Sequence, residues 1–315
     1  SVSRESPCFG GFDPGKALAG ADLGLLLDVD VPWLPKYAQE DPSTEWIHID
    51  VDTIKKDFPM WGFRTDMRIQ ADCATVLQQV IEIVEQRADD AFRKTVAARI
   101  EGWESANTQR RQAIAKVAQD IGKKGAISPA HVCATLGKLI APTDIVVNEA
   151  VRNTFAVLNQ IPRTEPLSLI GCAGGGLGYS AGIALGAKLA KPDVRVVQVV
   201  GDGGFHFSTP TSVYATAQRY GIPIFTIVLD NSGWQAVKEA VLRVYPDGAA
   251  ADSNDFQAKL GMGDNVRSFE QVGAAFGAYG ECIDDPAEVE AAIARCLKAV
   301  DAGQAAVLNV RIGSI

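Results

Sequence analysis

The chain has 315 residues, 47% apolar and 22% charged, long enough to bury a sizeable core and form two domains. Its formal charge of −8 argues against nucleic acid or an anionic membrane as the main partner, because an acidic surface attracts neither. Six scattered cysteines with no CxxC pair, and only three histidines, speak against a zinc framework.

The chain opens on SVSRESPCFGG, which lacks the apolar core of a signal peptide, and its first residue, Ser1, points to removal of something upstream. No apolar segment reaches the roughly 18–20 residues of a membrane-spanning helix, so a soluble, cytoplasmic protein with reduced thiols is expected. Residues 23–31 (LGLLLDVDV) and 46–51 (WIHIDV) read as buried strands, separated by a Pro-rich turn region around Pro32, Pro35 and Pro42. The pattern predicts a helix over 77–100 and a charged helical linker onward to Lys124, with a boundary near 125.

Beyond that boundary, apolar runs at 145–147, 167–170, 194–200, 224–229 and 305–311 alternate with helix-like segments at 129–140, 178–190, 211–220 and 286–300. Such alternation predicts an α/β fold with a doubly wound parallel sheet. Residues 235–268, rich in Ala, Asp and Gly, are the candidate mobile lid.

Two adjacent runs end on polar residues. VRVVQVV (194–200) stops at Gly201-Asp202-Gly203-Gly204, and IFTIVLD (224–230) stops at Asn231-Ser232-Gly233-Trp234. Loops after parallel strands gather at one edge, so a right-handed crossover brings Asp202 and Asn231 to the same crevice. A carboxylate, an amide oxygen and a loop carbonyl form a hard oxygen site for Mg²⁺, with positions left for two phosphate oxygens and a water. Glycines there let backbone N–H groups approach phosphate without a Cβ between. Ser208-Thr209-Pro210 reads as a helix start with a hydroxyl cap.

Upstream, Gly176-Leu177-Gly178-Tyr179-Ser180-Ala181 also fits GxGxxG/A, and Asp202 lies 21 residues past Ala181, near where a ribose-binding acid stands in a nicotinamide enzyme. An NAD-binding oxidoreductase is therefore an alternative reading.

With GDG followed by Asn231, AGGGLG at 173–178, DIVVNEA at 144–150, HIDVD at 48–52 and RESPCFGG at 4–11, the chain resembles the thiamine diphosphate-dependent 2-oxo acid decarboxylases and acetolactate synthases. The resemblance implies C-terminal half of a Rossmann-like middle domain over 1–85, a helical linker over 86–125 and a diphosphate-binding domain over 126–315. It implies Asp202, Asn231 and the Gly233 carbonyl as Mg²⁺ ligands, and Leu177 as the residue that bends thiamine diphosphate. It places Gly175 and Leu177 against the pyrimidine, Val151 and Arg152 at the diphosphate, and Gly176, Gly201, Gly203, Gly204 and Trp234 around the cofactor. The activity implied is that of a lyase or carboligase acting on a 2-oxo acid substrate.

The sequence departs from the family at several positions. Gly204 replaces the usual Ser or Thr after GDG, and Asp230-Asn231 replaces Asn-Asn, with the extra acid expected to face away. Ser6 stands where benzoylformate decarboxylase has a histidine. The family's activating glutamate belongs to an N-terminal pyrimidine-binding domain that this chain does not resemble. A homo-oligomer, or a hetero-oligomer with a chain carrying that domain, is therefore expected, and a non-catalytic cofactor-binding subunit is a further alternative.

His206, four residues past Asp202, reaches substrate or makes a polar contact only. Trp234 lines the pocket or packs in the core. Lys238 and Glu239 read as a solvated face, Glu149 as touching phosphate only through its backbone, Cys172 as a small buried residue, and His48 and His131 as structural.

Overall fold

The computed structural model describes residues 3–58, 62–171, 176–253 and 267–313. The chain divides into two compact units, Ser1–Gln109 and Arg110–Ile315. In the first, a short helix α1 (Gly15–Leu18) precedes three strands, β1 (Leu23–Leu27), β2 (Glu45–Asp50) and β3 (Met67–Gln70), paired in that order and all parallel. Trp33 and Trp46 pack with Leu18 and Leu26 in its core. Buried Lys55 bridges Asp50 at 2.8 Å and Asp30 at 3.0 Å.

Helix α2 (Cys73–Arg87) starts where the Asp72 carboxylate accepts the Thr75 N–H at 2.8 Å. The single helix expected over 77–100 is broken: Ala88 is extended, and Asp89 accepts the Phe92 N–H at 2.8 Å to open α3 (Asp90–Val117). The division between the units falls inside α3.

After the end of α3, the second unit continues with an antiparallel pair, β4 (Gly122–Lys123) and β5 (Ala126–Ile127), and helix α4 (Pro129–Leu139). Then come β6 (Ile145–Glu149), a 3-10 turn over 151–153, α5 (Thr154–Gln160), β7 (Leu169–Ile170) and α6 (Tyr179–Ala190). Strand β8 (Val196–Gly201) leads into α7 (Asp202–Phe207), α8 (Pro210–Tyr220) and β9 (Phe225–Asp230). Helices α9 (Gln235–Val244) and α10 (Ala249–Ser253) follow, then α11 (Phe269–Ala274), β10 (Tyr279–Ile283), α12 (Val289–Asp301) and β11 (Ala306–Arg311).

Six strands form one parallel sheet in the order β10-β11-β9-β8-β6-β7. Its inner strands are buried on both faces and predominantly apolar, as a sheet covered by helices requires. Val146, Val197, Ile227 and Leu308 pack with α4, α5 and α12, while Val147, Val196 and Ile224 pack with α6 and α8. The doubly wound parallel sheet expected from the sequence is present. From β6 the chain leaves towards edge strand β7, and from β8 it leaves towards β9, so the loops after β6 and β8 part and open a crevice at the C-terminal edge.

Two local expectations need correction. Asp202 does not sit in a loop after the strand; it opens a helix of its own, α7. The chain must then reverse before α8, and Thr209 does so in the left-handed conformation at φ 55°, with no side-chain cap. The Ser208 hydroxyl turns back instead to the Phe205 carbonyl at 2.7 Å, while Pro210 does occupy the first helical turn. Within the proposed lid, 235–244 and 249–253 are helical, and 254–266 lie outside the described residues.

Candidate functional site

A cavity of about 250 Å³ opens at the ends of β6, β8 and β9. It is lined by Ala150 to Asn153, Leu177, Gly201 to Gly204, Asn231, and Gly233 to Val237. The segments after three neighbouring strands thus meet where the topology places a crevice. Two larger hollows, of about 480 and 590 Å³, lie elsewhere in this unit, one of them around Lys188, Arg195 and Asp301; neither includes the loops after β8 and β9.

Asp202 is buried. Its Oδ1 accepts the Gly203 N–H at 2.8 Å and its Oδ2 accepts the Gly233 N–H at 2.9 Å. Burial, followed by the negative charge of Asp230, pushes its carboxyl up to about 7, against the pull of those two N–H groups. The Asn231 amide turns one terminal atom to within 2.8 Å of the Gly233 carbonyl oxygen and 3.3 Å of Asp202 Oδ2. With nitrogen at that point, the amide donates to both. With oxygen there, three oxygens converge.

Mg²⁺ bound octahedrally at about 2.0–2.1 Å sets adjacent ligand oxygens roughly 3 Å apart. The observed spacings straddle that value, so the donor set of Asp202, Asn231 and Gly233 fits a hard divalent cation. Asp230, the extra acid, does not line the cavity. Its fully buried carboxylate pairs with Arg267 at 2.9 Å and with Arg311.

The glycines here have a reason the sequence does not give. A Cβ on Gly203 would stand 2.4 Å from the Trp234 ring, and one on Gly204 would stand 2.8 Å from Val200 Cγ2. Protein packing therefore requires both, and the Gly203 N–H is already engaged by Asp202. A Cβ on Gly201 or on Gly176 meets nothing within 4 Å.

Leu177 is partly exposed at the cavity wall. Val151 also lines it and takes φ 44°, a left-handed conformation uncommon for a β-branched residue. Arg152 is held by Glu239 of α9, Nε to Oε1 at 2.6 Å, so Glu239 is not merely a solvated face. His206 does not line the cavity; its ring stacks edge-on against Phe269, with centroids 5.3 Å apart. Gly175 and Cys172 lie outside the described residues.

Sequence reasoning missed Gln235, Ala236 and Val237, which adjacency to Gly233 would have suggested. The Gln235 side chain is buried against the cavity, and its Oε1 has no hydrogen-bond partner among the described residues. The Arg152–Glu239 pair, 87 residues apart, leaves no local sequence signal.

A family model described as "Thiamine pyrophosphate enzyme, C-terminal TPP binding domain" matches residues 152–310, half of the chain. The chain belongs to the thiamine pyrophosphate enzyme family. This membership, rather than glycine spacing, separates the diphosphate reading from the dinucleotide one.

Among similar proteins, the acetolactate synthase large subunit of Buchnera aphidicola from Acyrthosiphon pisum is 23% identical, the match covering 86% of this chain and 44% of that protein. Benzoylformate decarboxylase of Pseudomonas aeruginosa is 34% identical over 36% of this chain and 21% of its own length. A solved thiamine diphosphate-dependent 4-hydroxybenzoylformate decarboxylase from Rhodococcus jostii superposes with a TM-score of 0.73 at 18% identity, over 99% of this chain and 54% of that one. This thiamine pyrophosphate enzyme chain spans about half the length of the curated relatives it matches. No helix of the described residues is long and apolar enough to cross a membrane.

Proposed function

We propose that this chain provides the metal- and diphosphate-holding part of a thiamine diphosphate-dependent lyase or carboligase acting on a 2-oxo acid. One observation carries the reading: a terminal atom of the Asn231 amide lies 2.8 Å from the Gly233 carbonyl oxygen and 3.3 Å from Asp202 Oδ2, at the C-terminal edge of the parallel sheet. Such a cluster of hard donors would suit Mg²⁺ held together with a diphosphate.

Bound thiamine diphosphate supplies the electron sink that lets a 2-oxo acid lose CO₂. The residues of this chain bind and orient it. Asp202 as carboxylate, Asn231 through its amide oxygen and the Gly233 carbonyl would hold the metal. Arg152, which lines the cavity, would face the charge of the diphosphate, its guanidinium shared with the Glu239 carboxylate. Leu177 would present an apolar side chain to the organic part of the cofactor, and Trp234 lines the cavity with its ring against Gly203.

Val151, Leu177 and Val237 leave exposed apolar surface around the opening, which supports a homo-oligomer or a partner chain that covers the mouth with a pyrimidine-binding domain. The free thiols of Cys8, Cys73, Cys133, Cys282 and Cys296 support a cytoplasmic setting. Isothermal titration tests the binding step. The wild-type chain takes up thiamine diphosphate only with Mg²⁺, and D202A removes that uptake; equal Mg²⁺-dependent affinity in D202A refutes the reading.

A further inference from the structure

Glu149 ends β6, is buried, and lines no part of the cavity. Both of its oxygens are nonetheless engaged at the start of α6. Oε1 accepts the Gly178 N–H, and Oε2 accepts the Ser180 N–H at 3.0 Å together with the Ser180 hydroxyl. An ionised carboxylate offers two acceptor oxygens and no donor, so it satisfies all three groups, and its charge suits the positive end of a twelve-residue helix.

Gly178 is pressed from the other side. It takes φ 91°, and a Cβ there would stand 2.5 Å from the carbonyl carbon and oxygen of Phe207, the last residue of α7. The turn bearing Leu177 is thus clamped between Glu149 and α7. A Cβ on Gly204 would lie 3.2 Å from the same Oε1, so the carboxylate also abuts the GDGG segment.

A line of buried side chains fixes the direction of the Ser180 hydroxyl. Tyr214 donates to Thr226 at 2.8 Å, Thr226 donates to Gln198 Oε1 at 2.8 Å, and Gln198 Nε2 donates to Ser180 Oγ at 2.7 Å. Having accepted from Gln198, Ser180 turns its own hydrogen to Glu149. The line runs from α8 through β9 and β8 to α6 and ends on the carboxylate of β6.

We infer that Glu149 is a positioning residue: it fixes the Gly176–Leu177–Gly178 turn, and so the Leu177 side chain, against the thiamine moiety. The inference rests on the cofactor reading above. E149Q tests it with the same shape, because an amide presents its NH₂ to one of those donors whichever way it turns. Two readouts are taken on the full chain: hydrogen exchange of 176–180 without ligand, and affinity for thiamine diphosphate and for inorganic pyrophosphate, each with Mg²⁺.

In E149Q, 176–180 exchanges about tenfold faster or more while β8 keeps its protection, as expected for a local opening. Thiamine diphosphate affinity falls about tenfold, the scale of one lost charged hydrogen bond, and pyrophosphate affinity stays within about twofold. S180A, which removes only the hydroxyl arm, shows the same pattern in weaker form and decides the matter if E149Q does not fold.

Unchanged exchange, or equal changes in both affinities, overturns the positioning role and leaves the cofactor reading standing. A wild-type chain that binds neither ligand overturns the cofactor reading itself, and this inference with it.

Discussion

Asp202→Asn separates the cost of the buried carboxylate from its use. Folding raises this carboxyl from its ordinary 3.8 to about 7, through burial first and Asp230 second. At 1.36 kcal/mol per pH unit, ionising it in the metal-free fold costs about 4 kcal/mol. The folded chain holds this proton more tightly than the unfolded chain. The cost is therefore absent below about pH 4, grows between pH 4 and 7, and is complete above pH 7.

Asparagine does not titrate, but it keeps only one of the two backbone acceptor contacts, which costs about 1–3 kcal/mol at every pH. Without divalent cations, D202N is then less stable than wild type at pH 4 and more stable by about 2 kcal/mol at pH 8. Urea unfolding across this range, read by Trp234, the one tryptophan beyond residue 109, gives the difference directly. Mg²⁺ at a hundredfold excess over its Kd returns about 2.7 kcal/mol to wild type and nothing to D202N. A stability difference independent of pH refutes the reasoning.

Two other substitutions probe the walls of the cavity. G203A drives a Cβ into the Trp234 ring and destabilises by about 1–3 kcal/mol; a melting temperature equal to wild type contradicts the tight contact. R152A weakens Mg²⁺-pyrophosphate binding about tenfold, whereas E239Q, by removing a competing negative charge, strengthens it a few-fold, more at low salt than at high. Titration at two ionic strengths checks both, and opposite signs for the two substitutions are the deciding result.

The inner strands were legible because a sheet covered on both faces writes itself as unbroken runs such as VRVVQVV and IFTIVLD, and their polar ends gave Asp202 and Asn231. Edge strands leave a weaker trace. Tyr279–Ile283 alternates partly buried and exposed residues before buried Ile283, and Met67–Gln70 has no fully buried position, so neither stands out as an apolar run. The break at Ala88–Asp89 was written in the sequence as an acidic cap, but the continuing charged pattern hid it.

The glycines illustrate a different limit. The sequence pattern suggests that Gly203 and Gly204 make room for phosphate, and the room is filled by Trp234, Val200 and Glu149, residues whose approach only the folded chain reveals. His206 looked reachable from Asp202 by spacing alone. One helical turn carries it away from the cavity to Phe269.

The missing side chain at position 203 and the indole at 234 fill one volume between them. Descendants of this chain inherit the two sites as a unit, since enlarging one demands shrinking the other. The loops that follow β8 and β9 should consequently diverge together rather than drift apart.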